Sequence, residues 1–208
     1  MDILVIHLFN ALLYASVLFL IAGGLSLIYG VMRIVNLAHG NLYALGAFVT
    51  ASAVGQWFAG SQSAWLYLLL PAGAIAAAAV GAVLGPTLLR PFYRRAEEYQ
   101  LLVTFGLLMI LEDLMRFVWG PYPLSASTLY EQLGSVSVGS WLYPRYNLLV
   151  IAIGGLGSLE GALAGSLIVG ILREIGISVF PEIELAVLYL IAAIVLLVRP
   201  AGLFGRAA

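Results

Sequence analysis

Apolar positions along this chain fall in long, nearly unbroken runs, and polar positions gather in the gaps between them. From Ile34 to Leu89 no Asp, Glu, Lys or Arg occurs. A helix needs about 20 apolar residues to cross a bilayer. On that measure the runs predict spans over Ile3–Met32, Val35–Phe58, Trp65–Leu89, Leu101–Trp119, Tyr146–Leu172 and Ile183–Val198. The fifth is irregular, interrupted by glycines and by Glu160. The pattern predicts an all-α, polytopic integral membrane protein of about six segments, one of them re-entrant or broken. Residues 1–208 are read as a single transmembrane domain. The first run has no basic n-region and outlasts an h-region of about 7–15 residues, so it reads as a retained span rather than a signal peptide.

Composition agrees with the pattern. The chain of 208 residues is 63% hydrophobic and 9% charged, whereas soluble domains carry roughly 25% charged residues. A globule of this size has too little interior for so much apolar surface, so lipid is the solvent for much of it. Net charge is −1 and all nine basic residues are arginine. No basic field exists that would hold nucleic acid. With no cysteine there is no disulfide framework or thiolate chemistry. His7 and His39 stand too far apart in sequence for a metal site. No nucleophile–base set or phosphate loop occurs, and Gly154-Gly155-Leu156-Gly157 lacks the Lys of a Walker motif. The chain is expected to be no enzyme and to carry no metal or cofactor.

The connecting segments set an expected topology. Arg90-Pro91-Phe92-Tyr93-Arg94-Arg95-Ala96-Glu97-Glu98 is the densely charged loop, and its arginines put it on the cytoplasmic side. The long, polar 120–145 loop falls outside, as does the N-terminus, and Arg33 falls inside. Carrying this forward creates a conflict. If Tyr146–Leu172 and Ile183–Val198 each cross once, Arg199 and Arg206 end outside. Either Gly154–Gly165 bends back on itself, or a piece of chain is missing there.

Within the charge-free run lies a polar cluster: Asn36, His39, Gly40 and Asn41. Hydrocarbon offers such groups no partner, so they bond to protein or line a wet path. As one helix, Asn36, His39, Gly40 and Tyr43 would share a face, suited to a zwitterionic or amide substrate. The competing reading is that Asn36 and His39 cap a helix just after Arg33. Further along, Gly157, Gly161 and Gly165 repeat every fourth residue, as in close helix packing or in a broken helix lining a route. Glu160 is a carboxylate at membrane depth, by default a functional candidate. Glu112, Asp113 and Arg116 are spaced to pair on one helix, and Arg173 and Glu174 are read as interfacial.

The stretch Gly24-Leu25-Ser26-Leu27-Ile28-Tyr29-Gly30-Val31-Met32-Arg33-Ile34-Val35-Asn36-Leu37-Ala38-His39-Gly40-Asn41-Leu42-Tyr43-Ala44-Leu45-Gly46-Ala47 resembles the signature of branched-chain amino acid permeases. These are membrane subunits of a class of bacterial ABC importers. The glycine-rich segment 154–165, the ending Leu196–Gly205, the Arg90-Pro91 pair and Tyr146-Asn147-Leu148-Leu149-Val150 resemble the same family. The resemblance implies a permease subunit that imports branched-chain amino acids or related small amides by alternating access. It implies four kinds of surroundings: a second homologous permease subunit, ATP-binding subunits, an extracytoplasmic substrate-binding protein, and the bacterial inner membrane.

Candidate path residues are then Asn36, His39, Gly40, Tyr43, Gly157, Gly161 and Glu160. Candidate ATPase contacts are Arg90, Arg94, Arg95, Glu97 and Glu98. Similar permeases are longer, however. They continue past the Asn147–Val150 stretch through more helices and a basic cytoplasmic segment before the glycine-rich motif, so a segment near residues 153–154 is expected to be lacking. That leaves open a shortened, working permease, a degenerate or non-transporting assembly protein, and a chain from which a segment has been left out.

Overall fold

The computed structural model describes residues 2–32, 34–57, 64–155 and 160–179, with single positions 186, 189, 190, 193, 194 and 197 beyond them. The elements are α1 (Asp2–Met32), α2 (His39–Ser52), α3 (Leu69–Leu84), α4 (Glu97–Trp119), α5 (Ser127–Leu133), β1 (Ser135–Val138), β2 (Trp141–Pro144), α6 (Arg145–Gly155) and α7 (Glu160–Val179). The protein is an all-α multi-pass membrane protein, with one short hairpin inside the segment expected to be a plain loop.

Local chemistry explains the boundaries. Gly85-Pro86 ends regular α3, because Pro86 has no N–H to donate and the helix widens into a π turn over Gly85–Leu89. A 3-10 turn over Arg90–Phe92 follows. Glu97 and Glu98 occupy the first turn of α4, where acidic side chains complement the helix dipole. Gly120 ends α4 at φ 82°, a left-handed position, with its N–H on the Arg116 carbonyl at 2.8 Å.

Among the described residues three helical stretches are long and apolar enough to cross a bilayer: Ile3–Val31, Leu66–Phe92 and Ala162–Val179. Their outer faces are bare hydrocarbon: Val31 is 76% exposed and Ile75 68%. Such surface suits lipid rather than water. The apolar pattern predicts about six segments, and the other stretches take these forms. Helix α2 starts only at His39, leaving 34–38 non-helical. Helix α4 carries Glu97, Glu98, Glu112, Asp113 and Arg116. The stretch Tyr146–Leu172 is divided between α6 and α7. Ile183–Val198 lies almost wholly outside the described residues.

The chain forms two compact units, residues 24–134 and residues 1–23 with 135–208. In the 24–134 unit, α2 and α3 cross glycine to glycine. A Cβ built on Gly46 would sit 3.0 Å from the Gly73 carbonyl oxygen, and one on Gly73 would overlap the Thr50 hydroxyl and the Gly46 carbonyl. Small residues give helices this close approach in lipid. Val54, Leu66 and Leu129 form a buried cluster beside it, and the Tyr67 hydroxyl donates to the Leu129 carbonyl at 3.2 Å.

The other unit is built around the first half of α1. Helix α7 packs on it through Gly170, where a Cβ would stand 2.6 Å from the Ala11 carbonyl oxygen. Helix α6 packs through Gly154, where a Cβ would stand 2.7 Å from Ser16 Cα. The order of contacts fixes directions. Tyr143 meets Phe9 and Gly154 meets Ser16, so α6 runs parallel to α1; Glu174 meets His7 and Gly170 meets Ala11, so α7 runs antiparallel. The chain therefore reverses between α6 and α7. The expected junction at 153–154 lies inside α6, where Gly154 is buried.

Candidate functional site

The polar cluster folds as a turn that hands over to a helix. Asn36 is buried at 6% exposure, and its side-chain Oδ1 accepts the Ala38 N–H at 3.1 Å. Its carbonyl accepts the His39 N–H at 3.2 Å. This Asx turn holds Ala38, which is fully buried, at the start of α2. The Ala38 carbonyl accepts the N–H groups of Asn41 and Leu42, each at 3.1 Å. Asn36 therefore precedes the helix instead of sharing its face with His39, Gly40 and Tyr43. The Asx turn of Asn36 outweighs the apolar periodicity that suggested one helix across 36–43, and the N-cap position is Ala38, with no side-chain cap from Asn36 or His39.

His39 and Tyr43 lie one turn apart on α2. The imidazole of His39 rests on α1 at Gly24: a Cβ there would be 2.8 Å from Nε2. Only a residue without a side chain leaves the ring its place. Gly40 is exposed with open space around it, and Tyr43 is 47% exposed.

Asn41 reaches furthest. Its Nδ2 donates to the Leu108 carbonyl in the middle of α4 at 2.7 Å. Helix α4 answers with a buried stripe of Gln100, Thr104, Leu107, Leu111 and Met115. The Thr104 hydroxyl is bonded to the Gln100 carbonyl at 2.9 Å and lies 3.3 Å from the Val35 carbonyl. Gln100 Nε2 donates to the Arg95 carbonyl at 3.0 Å. Ala38, Leu107 and Leu111 close the contact as a small core. A cleft beside it is lined by Ile34, Leu89, Phe92, Tyr93, Gln100, Val103 and Thr104. The site is thus a polar turn clamped between a glycine of α1 and a polar stripe of α4. Gln100 and Thr104 were missed by sequence reasoning. Their four-residue spacing within an apolar helix is the signal that finds them.

The clamp makes a testable statement. Asn41→Leu removes a donor from a low-dielectric setting and keeps the volume. A hydrogen bond of this kind contributes about 1 kcal/mol. The variant is expected to unfold at a lower denaturant midpoint in detergent, and an unchanged midpoint rules out the Leu108 bond as a structural tie.

The remaining candidates are dispersed. Gly157 lies outside the described residues. Glu160 and Gly161 open α7. Gly165 faces open space, and the tight glycine contacts of this unit fall on Gly154 and Gly170. Arg90, Arg94, Arg95, Glu97 and Glu98 are all exposed, and among the described residues none has an ion-pair partner. Arg116 pairs with Glu112 at 2.5 Å on the surface of α4, one turn apart.

A second polar group, hidden from the sequence, lies between α1 and α7. His7 Nδ1 is 2.8 Å from Glu174 Oε1, and Asn10 Nδ2 donates to the same oxygen at 3.4 Å. The Arg173 guanidinium stands 4.1 Å from the centre of the Tyr14 ring, a cation–π distance. Glu174, read as interfacial, is thus packed against α1 through His7 and Asn10. His7, Asn10 and Tyr14 at helical spacing on α1 carry the only sequence signal for this stripe.

Residues 7–122 match the model of a family described as branched-chain amino acid transport system / permease component. The high-affinity branched-chain amino acid transport system permease protein LivH of Salmonella typhimurium is 27% identical over 139 residues, covering 64% of this chain and 44% of that protein. LivH of Escherichia coli K12 is 25% identical over 130 residues, covering 60% and 42%. The matched part thus spans less than half the length of these curated relatives. No solved structure matches the chain.

Proposed function

This chain belongs to the family of branched-chain amino acid transport system permease components, and from that premise we propose that it is the membrane permease subunit of an ATP-driven importer. Its substrates are branched-chain amino acids or related small amides. The observation that carries the reading is the family match over residues 7–122, which includes the whole clamped polar turn and its α4 stripe. The same match favours a permease over a non-transporting assembly protein.

Transport proceeds by alternating access in the bacterial inner membrane, beside a second homologous permease subunit. An extracytoplasmic binding protein delivers substrate. ATP is hydrolysed by separate subunits, and the exposed Arg90, Arg94, Arg95, Glu97 and Glu98, which have no ion-pair partner among the described residues, are the surface offered to them. The start of α2 is the moving part of the path. Asn36 sets the turn, and His39 slides on the bare backbone of Gly24. Gly40 and Tyr43 present an open, polar-edged surface. Gly157, Glu160 and Gly161 are a separate candidate path element.

Reconstitution in proteoliposomes with the cognate ATPase and binding protein tests this. Leucine-stimulated ATP hydrolysis and uptake are expected, both falling about tenfold in His39→Ala, the equivalent of about 1.4 kcal/mol. Substrate flux without the ATPase, or full uptake in cells lacking this chain, sinks the proposal.

A further inference from the structure

The hairpin between α5 and α6 has one aromatic face. Val136 pairs with Tyr143 and Val138 with Trp141 in antiparallel register, so these four side chains share a face, with Ser135, Ser137, Leu142 and Pro144 on the other. Tyr143, 3% exposed, lays that face on α1, its ring centroid 5.2 Å from that of Phe9. Two residues earlier on the same face, Trp141 overhangs and is 50% exposed.

The contact with Phe9 fixes the depth of the hairpin. The apolar stretch Ile3–Val31 has 29 residues, about 43 Å of helix at 1.5 Å per residue. The hydrocarbon core is only about 30 Å thick, so roughly 6 Å of this helix projects into the headgroup zone at each end. Phe9 stands about 9 Å along the axis from Ile3, close to the boundary between headgroups and hydrocarbon. Both strands are edges, with backbone groups facing outward, which hydrocarbon does not tolerate and the headgroup zone does. Indole, apolar in body and polar at one N–H, partitions to that same zone.

We infer that the β1–β2 hairpin is an interfacial anchor whose Trp141 face lies in the headgroup layer of the bilayer, gripping lipid beside the N-terminal end of α1. The partner is the lipid interface itself, not a protein. The anchor fixes the height at which α6 begins, since α6 follows β2 without a linker. The inference goes beyond the transport reading and needs only a membrane around α1.

The natural absence of cysteine makes the test direct. Trp141→Cys and Ser137→Cys, on opposite faces of one hairpin, are spin-labelled in the full chain in nanodiscs. Their collision rates with oxygen and with a water-soluble nickel chelate are then compared. The oxygen-to-nickel ratio is expected to be severalfold higher at 141 than at 137. Val138→Cys reads the same face with Trp141 retained, and is expected to match 141. Equal, water-like ratios at all three positions overturn the anchor. So does a label at 141 that is open to nickel until the binding protein is added and shielded afterwards, because that assigns the face to a protein partner.

Discussion

Replacing Gly73 by alanine is expected to open the α2–α3 crossing and to lower the melting temperature of the protein in mild detergent. A methyl group there overlaps the Thr50 hydroxyl and the Gly46 carbonyl. The hydroxyl is itself held, donating to the Gly46 carbonyl at 3.0 Å. Neither obstacle is the free end of a flexible side chain, so the helices must separate. Overpacking of this kind costs about 1–3 kcal/mol, and the crossing also loses its close backbone contact.

The control lies two turns further along the same helix. At Gly81 a Cβ meets only Leu42 Cδ1, at 3.8 Å. Gly81→Ala removes a flexible residue from a helix and is expected to be neutral or stabilising by about 0.5–1 kcal/mol. Thermal aggregation monitored by size-exclusion fluorescence separates the two. If Gly73→Ala and Gly81→Ala melt together, the glycine crossing is not the tight point of the unit.

The second large effect is expected at the α1–α7 pair, and it is asymmetric. His7→Leu leaves the Glu174 carboxylate with Asn10 as its one remaining partner among these contacts. Glu174→Leu leaves a half-exposed His7 ring with solvent to bond to. The His7 side chain is 40% exposed and that of Glu174 12%, so the carboxylate has the less water to fall back on. A hydrogen bond to a charged group contributes about 1.5–3 kcal/mol, and the exposure of His7 puts this pair at the lower end. His7→Leu is therefore expected to destabilise toward that figure, Glu174→Leu to cost less, and the double replacement to recover most of the loss. Unfolding in mixed micelles titrated with SDS reads all three. A double variant as unstable as His7→Leu would show that the pair is not coupled.

Much of the molecule was open to reading in the chain itself. The charge-free run from Ile34 to Leu89 required lipid, and α1 and α3 follow from apolar length alone. The polar cluster at 36–41 stood out because nothing near it in sequence could satisfy it. The weakness of that reading was its partner. Periodicity put Asn36 on a helix with His39, but a side-chain bond to the Ala38 N–H ends the helix before it reaches Asn36. Likewise 146–172 reads as one interrupted span, and only contacts with Phe9, Ser16, Ala11 and His7 reveal two helices of opposite direction.

The sequence by itself determined the solvent, the long helices and the identity of the polar turn, since hydropathy and capping are properties of a residue and its near neighbours. The tertiary structure decided who meets whom. Asn41 finds a carbonyl in α4, His39 finds Gly24, and His7 finds Glu174. Each pairing joins groups far apart along the chain, and its strength comes from low dielectric and close approach, conditions that exist only once helices are packed side by side.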